Sequence, residues 1–178
     1  MKQTMIQIAI VAVVASITGC STLPCGKTSG WTQWKTSDGG NGHYYKAVAV
    51  TNGVTWTEAD KIARAEGGYL ATITSGEESA FVLKVVSYPQ FFSAANGTGL
   101  ALGGFQQDGA KEPDGGWCWV TGEPWNYSRW VPGQPDNYGG QEDRLSYFSG
   151  ISRTPAATWN DVNRNLKELA GYVIERDK

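Results

Sequence analysis

The stretch GGWCWVTGEPWNYSRWVPGQPDNYGGQED, Gly115 to Asp143, decides how the rest of the chain is read. It opens with a short aromatic strand pattern, Trp117-Cys118-Trp119-Val120, closed by the turn Thr121-Gly122-Glu123-Pro124. From Trp125 to Arg144 there is no regular period. Long irregular segments in compact domains are as a rule functional or disordered. The Trp, Tyr and Pro content here argues for an ordered, functional loop. Its last part, VPGQPDNYGGQED, together with Trp159-Asn160-Asp161, holds a dense set of hard oxygen groups: Gln134, Asp136, Glu142, Asp143, Asn160 and Asp161. Oxygen-only ligands of mixed carboxylate and amide type suit calcium, which accepts about six to eight of them in flexible geometry. The set contains no imidazole or thiolate of the kind zinc or copper takes.

Upstream, Gly42 to Val50 alternates and is rich in aromatic and β-branched residues, which predicts a strand, and Asn52-Gly53 turns the chain. Thr55-Trp56-Thr57-Glu58 has the Thr-x-x-Glu form of a capping box. Ala59, Ile62 and Ala63 then recur at helical spacing, and Gly67-Gly68 stops the helix. Tyr69 to Ile73 reads as a short strand. A second capping box, Ser75 to Glu78, starts a helix with Phe81, Val82, Val85 and Val86 on one face. Further strands are expected at Leu100–Phe105, Leu145–Phe148, Ala157–Trp159 and Ala170–Glu175. The helical stripes are core. His43, the single histidine, has no nucleophile placed beside it and is given no catalytic role.

A net charge of -2 over 178 residues, with no basic stripe to neutralise phosphates, gives no nucleic-acid partner. The first residues stand apart. Lys2 is followed by an apolar run from Ile6 to Ile17, too short for a comfortable membrane span and right for a signal peptide. Ile17-Thr18-Gly19-Cys20 resembles the lipobox of bacterial lipoproteins, in which Cys20 is the lipidated first residue of the mature chain. The expected organisation is a signal peptide over 1–19, a tether over 20–41 and one domain over 42–178. Such a protein is anchored to the bacterial cell envelope, and with no Asp after Cys20 the outer membrane is the expected destination. Trp31 and Trp34 are unusual for a pure tether and can open the domain as an edge strand or pack over its end. Cys25 and Cys118 either pair, as export allows, or stand as a free thiol and a small buried residue.

The order of the pieces TWTEADKIARAEGGYLATITSGEESAFV, GGWCWVTGEPWNYSRWVPGQPDNYGGQED, WND and GYVIE resembles the C-type lectin-like domain family over about Gly42 to Arg176. The resemblance implies an α+β fold with two helices, small antiparallel sheets, paired N- and C-terminal strands and a long calcium-binding loop. It implies calcium held by Gln134, Asp136, Glu142, Asn160 and Asp161, with a cis Pro135 between the first two. The same ligands would hydrogen-bond two sugar hydroxyls. In this family Gln-Pro-Asp resembles the galactose-type triplet, and an aromatic ring just beyond it, here Tyr138, covers the sugar's apolar face. The partners implied are glycans ending in galactose or related sugars. Such sites bind weakly one at a time, so multivalency, a homo-oligomer included, would help. The family's four usual cysteines are replaced by Ala63, Arg144, Arg164 and Ile174, which shifts stabilisation toward the core and the metal. At an auxiliary calcium site Glu142 and Asp143 match, Asn137 is a weaker ligand, Ala110 replaces an acid, and Asp108, Glu112 and Asp114 lie near.

The alternative function within the same fold is a protein-binding or structural module without sugar binding. Glycoside hydrolysis by paired carboxylates is set aside. Adjacent Glu142 and Asp143 do not flank a bond from opposite sides, and metal ligation accounts for the acids.

Overall fold

The computed structural model describes residues 28–92, 94 and 96–177. The expected signal peptide, the lipidation candidate Cys20 and the possible pairing of Cys25 therefore lie outside the described residues. Ten elements follow in order: β1 (Thr32–Gln33), β2 (Tyr44–Val54), α1 (Trp56–Ala65), β3 (Tyr69–Leu70), α2 (Gly76–Val86), β4 (Thr98–Gln106), β5 (Trp117–Trp119), β6 (Glu142–Phe148), β7 (Trp159–Asn163) and β8 (Leu169–Arg176). The strands form one mixed sheet of order β1-β2-β8-β4-β6-β7, with β3 on β8 and β5 on β4. β2 and β8 pair antiparallel from Tyr44↔Arg176 to Ala49↔Gly171, so the two ends of the domain are zipped together.

Side-chain alternation on these strands feeds two cores. On β8, Val173 joins Tyr45, Leu100, Leu102 and the Val82, Val85 and Val86 face of α2. Its neighbours Tyr172 and Ile174 join Val48, Ala101 and the Trp56, Ala59 and Ala63 face of α1. Helix α1 starts where the sequence places it. Thr55 Oγ1 accepts from Glu58 N at 3.0 Å, and Glu58 Oε2 accepts from Thr55 N at 3.0 Å. It ends at Gly67, whose φ of +75° only glycine adopts without strain. Gly103 inside β4 has a different reason. A β-carbon there would stand 2.3 Å from the Leu70 carbonyl oxygen, so a residue without one lets β3 lie against β4.

Four expectations need correction. Asn52-Gly53 does not end the strand: β2 runs through it to Val54, with Gly53 at φ +71° within an irregularity in the pairing with β8. The second capping box is half made: Ser75 Oγ accepts from Glu78 N at 3.1 Å, but Glu78 turns inward and accepts from Thr74 N at 2.6 Å and Tyr45 Oη at 2.5 Å. Those donors draw the carboxylate off its cap into the core. The strand expected at Ala157–Trp159 runs instead from Trp159 to Asn163, because β6 offers its ladder opposite those residues, Tyr147↔Trp159 to Glu142↔Asn163. The last part of the expected tether is folded onto the domain. Thr28 bridges Val48, β1 pairs with β2, Trp34 stacks on Phe81 at 5.6 Å, and the Arg176 guanidinium lies 4.1 Å from the Trp31 ring.

Candidate functional site: an acidic loop cluster

Between β5 and β6 the chain has no ladder of its own, and aromatic packing fixes its path. Trp125 lies 4.4 Å from Trp119, and Trp130 meets Trp117 edge-on at 4.8 Å and Trp159 at 6.1 Å. Two backbone bonds then pin the loop's start to β7: Trp159 N donates to Arg129 O at 2.8 Å and Val131 N to Trp159 O at 3.0 Å. This junction brings the loop alongside β7, where Asp136 N reaches Asp161 Oδ1.

The loop then folds around its own carboxylates. Asp161, buried, accepts Asp136 N at 3.3 Å and Asn137 N at 2.7 Å. Tyr138 N donates to Asp136 Oδ1 at 3.2 Å and to Glu142 Oε2 at 3.1 Å. Asn137, in the left-handed region at φ 48°, uses Oδ1 to accept Glu142 N at 3.0 Å. Asparagine tolerates that conformation better than most residues. The peptide bond between Gln134 and Pro135 is cis.

As a result, one carboxylate oxygen each from Asp136, Glu142 and Asp161 lies within 4.8 Å of the others. Burial, then the charges of Asp161 and Asp136, push the Glu142 carboxyl up to about 7 despite the Tyr138 hydrogen bond. Burial also raises Asp161. Two further oxygens sit on close sequence neighbours, two positions before Asp136 and one before Asp161. Gln134 Oε1 and Asn160 Oδ1 are both buried without a hydrogen-bond partner. Asn160 curls along its strand so that Nδ2 donates to the Asp161 carbonyl. Repelling carboxylates beside orphaned carbonyl oxygens are costly as they stand. A hard divalent cation satisfies both at once, so this donor set fits calcium.

Of the five sequence-predicted ligands, the carboxylates of Asp136, Glu142 and Asp161 are brought together, and Tyr138, whose N–H meets two of them, stands 79% exposed. Asp143 is not among them. Its carboxylate is ion-paired with Arg164 Nη2 and lies 3.2 Å from Arg144 Nη1. Asp108 approaches Arg164 at 3.5 Å, and Asn137 Oδ1 is taken by the loop itself. Two of the acids named for the auxiliary position, Asp143 and Asp108, thus face arginines. The closing role of Asn137 escaped the sequence reading, although an Asn between Pro-Asp and Tyr-Gly-Gly is a turn signal.

Residues 52–170 match the model of the lectin C-type domain. The chain belongs to the C-type lectin family. Membership points to carbohydrate binding, a binding rather than a catalytic class, and the family generally takes calcium. The positions of this C-type lectin where cysteines are usual hold other contacts: Ala63 and Ile174 are both fully buried in one core, and Arg144 and Arg164 meet on Asp143.

A perlucin-like protein of Mytilus galloprovincialis is 26% identical over 160 residues, covering 90% of this chain and 89% of that protein. The cow C-type carbohydrate-recognition domain of CD23, solved in the presence of a GlcNAc2Man3 oligosaccharide, superposes with a TM-score of 0.60 at 23% identity, covering 83% of this chain and 93% of that one. A herring type II antifreeze protein gives 0.60 at 22% identity, covering 83% and 96%. One scaffold therefore carries a carbohydrate-recognition domain and an antifreeze protein, and the ligand must be argued from the loop.

Proposed function

We propose that this C-type lectin binds terminal galactose or a related sugar through calcium held by Gln134, Asp136, Glu142, Asn160 and Asp161. The observation that carries the reading is the set of three carboxylates within 4.8 Å, supported by the buried, unpartnered oxygens of their sequence neighbours Gln134 and Asn160. Bound there, calcium would supply open coordination positions for two neighbouring sugar hydroxyls. The Gln134 amide can donate to a hydroxyl and the Asp136 carboxylate can accept from one. This order of amide and acid supports the galactose type, and exposed Tyr138 offers a ring to the sugar's apolar face. The lipobox-like Ile17-Thr18-Gly19-Cys20 supports display on the outer membrane of a bacterial envelope, anchored through lipid on Cys20.

Retention on galactose resin with calcium, elution by chelator, and weaker competition by mannose than by galactose are expected. Binding that survives complete calcium removal would refute the mechanism. For the anchor, metabolic labelling with palmitate should mark the chain and be lost in Cys20→Ser. A protein-binding module without sugar binding would leave the resin unbound while still taking up calcium.

A further inference from the structure

The pairing of β6 with β7 slips by one residue between Glu142↔Asn163 and Arg144↔Val162, which leaves Asp143 as an extra residue on β6. This slip decides which acid reaches the cation site. Leu145↔Asp161 and Tyr147↔Trp159 are opposed pairs, so Asp161 shares a face with Leu145 and Tyr147. Strict alternation counted back from Leu145 would put Asp143 on that face and turn Glu142 away. The reverse is observed. Glu142 stands within 4.8 Å of Asp136 and Asp161, while Asp143 faces the two arginines.

Both arginines are themselves fixed. The Arg144 guanidinium lies 5.0 Å from the Trp56 ring and 5.7 Å from the Phe105 ring. The Arg164 carbonyl accepts Thr57 N at 3.3 Å and Thr57 Oγ1 at 3.1 Å, in the first turn of α1. Asp143, the extra residue of the bulge, is therefore held between two cations anchored to the domain's body. We infer that Asp143, clamped by Arg144 and Arg164, is a positioning residue that aims Glu142 into the cation site. The inference rests on the calcium reading above and adds a residue that touches neither metal nor sugar.

The discriminating variant is Arg164→Gln, with calcium affinity measured by calorimetry on the full chain. By charge alone, removing the cation paired with Asp143, next in sequence to Glu142, tightens calcium binding. Loss of the clamp instead frees Glu142 and weakens it. We expect weakening by roughly 10- to 100-fold, the range for losing a residue that orients a metal ligand. Asp143→Asn should weaken it as well. If Arg164→Gln is unfolded in chelator by circular dichroism, Arg164→Lys replaces it, since lysine keeps the charge but lacks the planar fork. Affinity unchanged or tighter in a folded Arg164 variant, or unchanged in Asp143→Asn, overturns the inference and leaves the calcium site standing. Absence of calcium binding by the unsubstituted chain overturns both.

Discussion

The buried Asp161 carboxylate accepts the backbone N–H of Asn137 at 2.7 Å, across 24 positions of sequence. A residue expected to hold the metal thus also holds the loop that supplies the other ligands. Asp161→Ala removes the acceptor from Asn137 N and from Asp136 N together. Leaving a donor unpaired costs about 1–3 kcal/mol, so amide exchange at Asn137 should speed up roughly 5- to 150-fold in chelator. Core amides such as Ala71 N, bonded to Val173 O, are the internal control. Equal exchange at Asn137 in variant and parent would mean that the loop does not depend on Asp161.

Calcium removal should cost stability by mass action. A ligand that binds only the folded state at about 100 times its dissociation constant contributes about 2.7 kcal/mol. For a domain of this size that is a melting-point drop of roughly 5–11 °C on chelation. The loss should appear first in residues 131–143, since they lack a strand ladder before β6 and are tied to carboxylates that repel one another without the ion. Hydrogen exchange with and without chelator locates it. Uniform loss of protection across β2 and β8 would contradict this order.

Local chemistry was legible in the sequence, and long-range competition was not. The Thr55–Glu58 box is read correctly because both partners sit within one turn, and the Lys167 ammonium, 3.2 Å from Glu58 Oε1, leaves Oε2 to the cap. Ser75–Glu78 has the same signature, yet Tyr45, 33 positions away, offers Glu78 a buried donor that no local pattern reveals. The candidate oxygen groups were legible as a set, whereas the convergence of Asp136 and Glu142 on Asp161 depends on a loop path pinned at the Trp130–Trp159 junction. Residue chemistry alone did not separate Glu142 from Asp143; only the family resemblance gave Glu142 to the ligand set. Two adjacent acids look equivalent until a one-residue slip in strand pairing sends one to the site and the other to Arg164.

Glu175 gives the fold a pH dependence of its own. It is 1% exposed, accepts Thr72 N at 2.9 Å and lies 2.7 Å from His43 Nδ1, with Tyr45 Oη between it and Glu78. Burial above all, with the Glu78 charge adding, pushes its carboxyl from an ordinary 4.5 up to about 7. Between those values the folded chain holds a proton that the unfolded chain has released. This contribution to stability is therefore complete below pH about 4.5 and lost as pH rises through about 7. Glu175→Gln is neutral at every pH. Its stability relative to the parent, measured in chelator, should rise with pH across that window and stay level outside it. A constant difference would show that Glu175 loses its proton at the same pH in the folded and unfolded chain.

Tyr138 separates sugar binding from metal binding. Its ring is 79% exposed and only its backbone N–H contacts the ligand carboxylates. Tyr138→Ala should leave calcium affinity within about twofold of the parent. Galactose affinity should fall roughly 2- to 12-fold, the equivalent of about 0.5–1.5 kcal/mol for one aromatic contact. A parallel loss of calcium affinity would make Tyr138 part of the loop's packing instead of a sugar platform.

The sharpest test of sugar type exchanges the acid and the amide. Gln134 and Asp136 flank Pro135, and Gln134 Oε1 lacks a partner. In the double variant Gln134→Glu, Asp136→Asn the site keeps its charge, its number of oxygens and the proline. Only the direction of two hydrogen bonds to sugar hydroxyls reverses. Calcium affinity should therefore change little, while each mismatched bond to galactose costs about 0.5–1.5 kcal/mol. Two such bonds predict galactose binding weaker by roughly 5- to 150-fold, with mannose gaining relative to it. Direct titration of both sugars against both proteins gives the answer. If the exchange leaves the ratio of the two affinities where it was, the triplet does not set the specificity, and the choice of sugar must come from elsewhere on the loop.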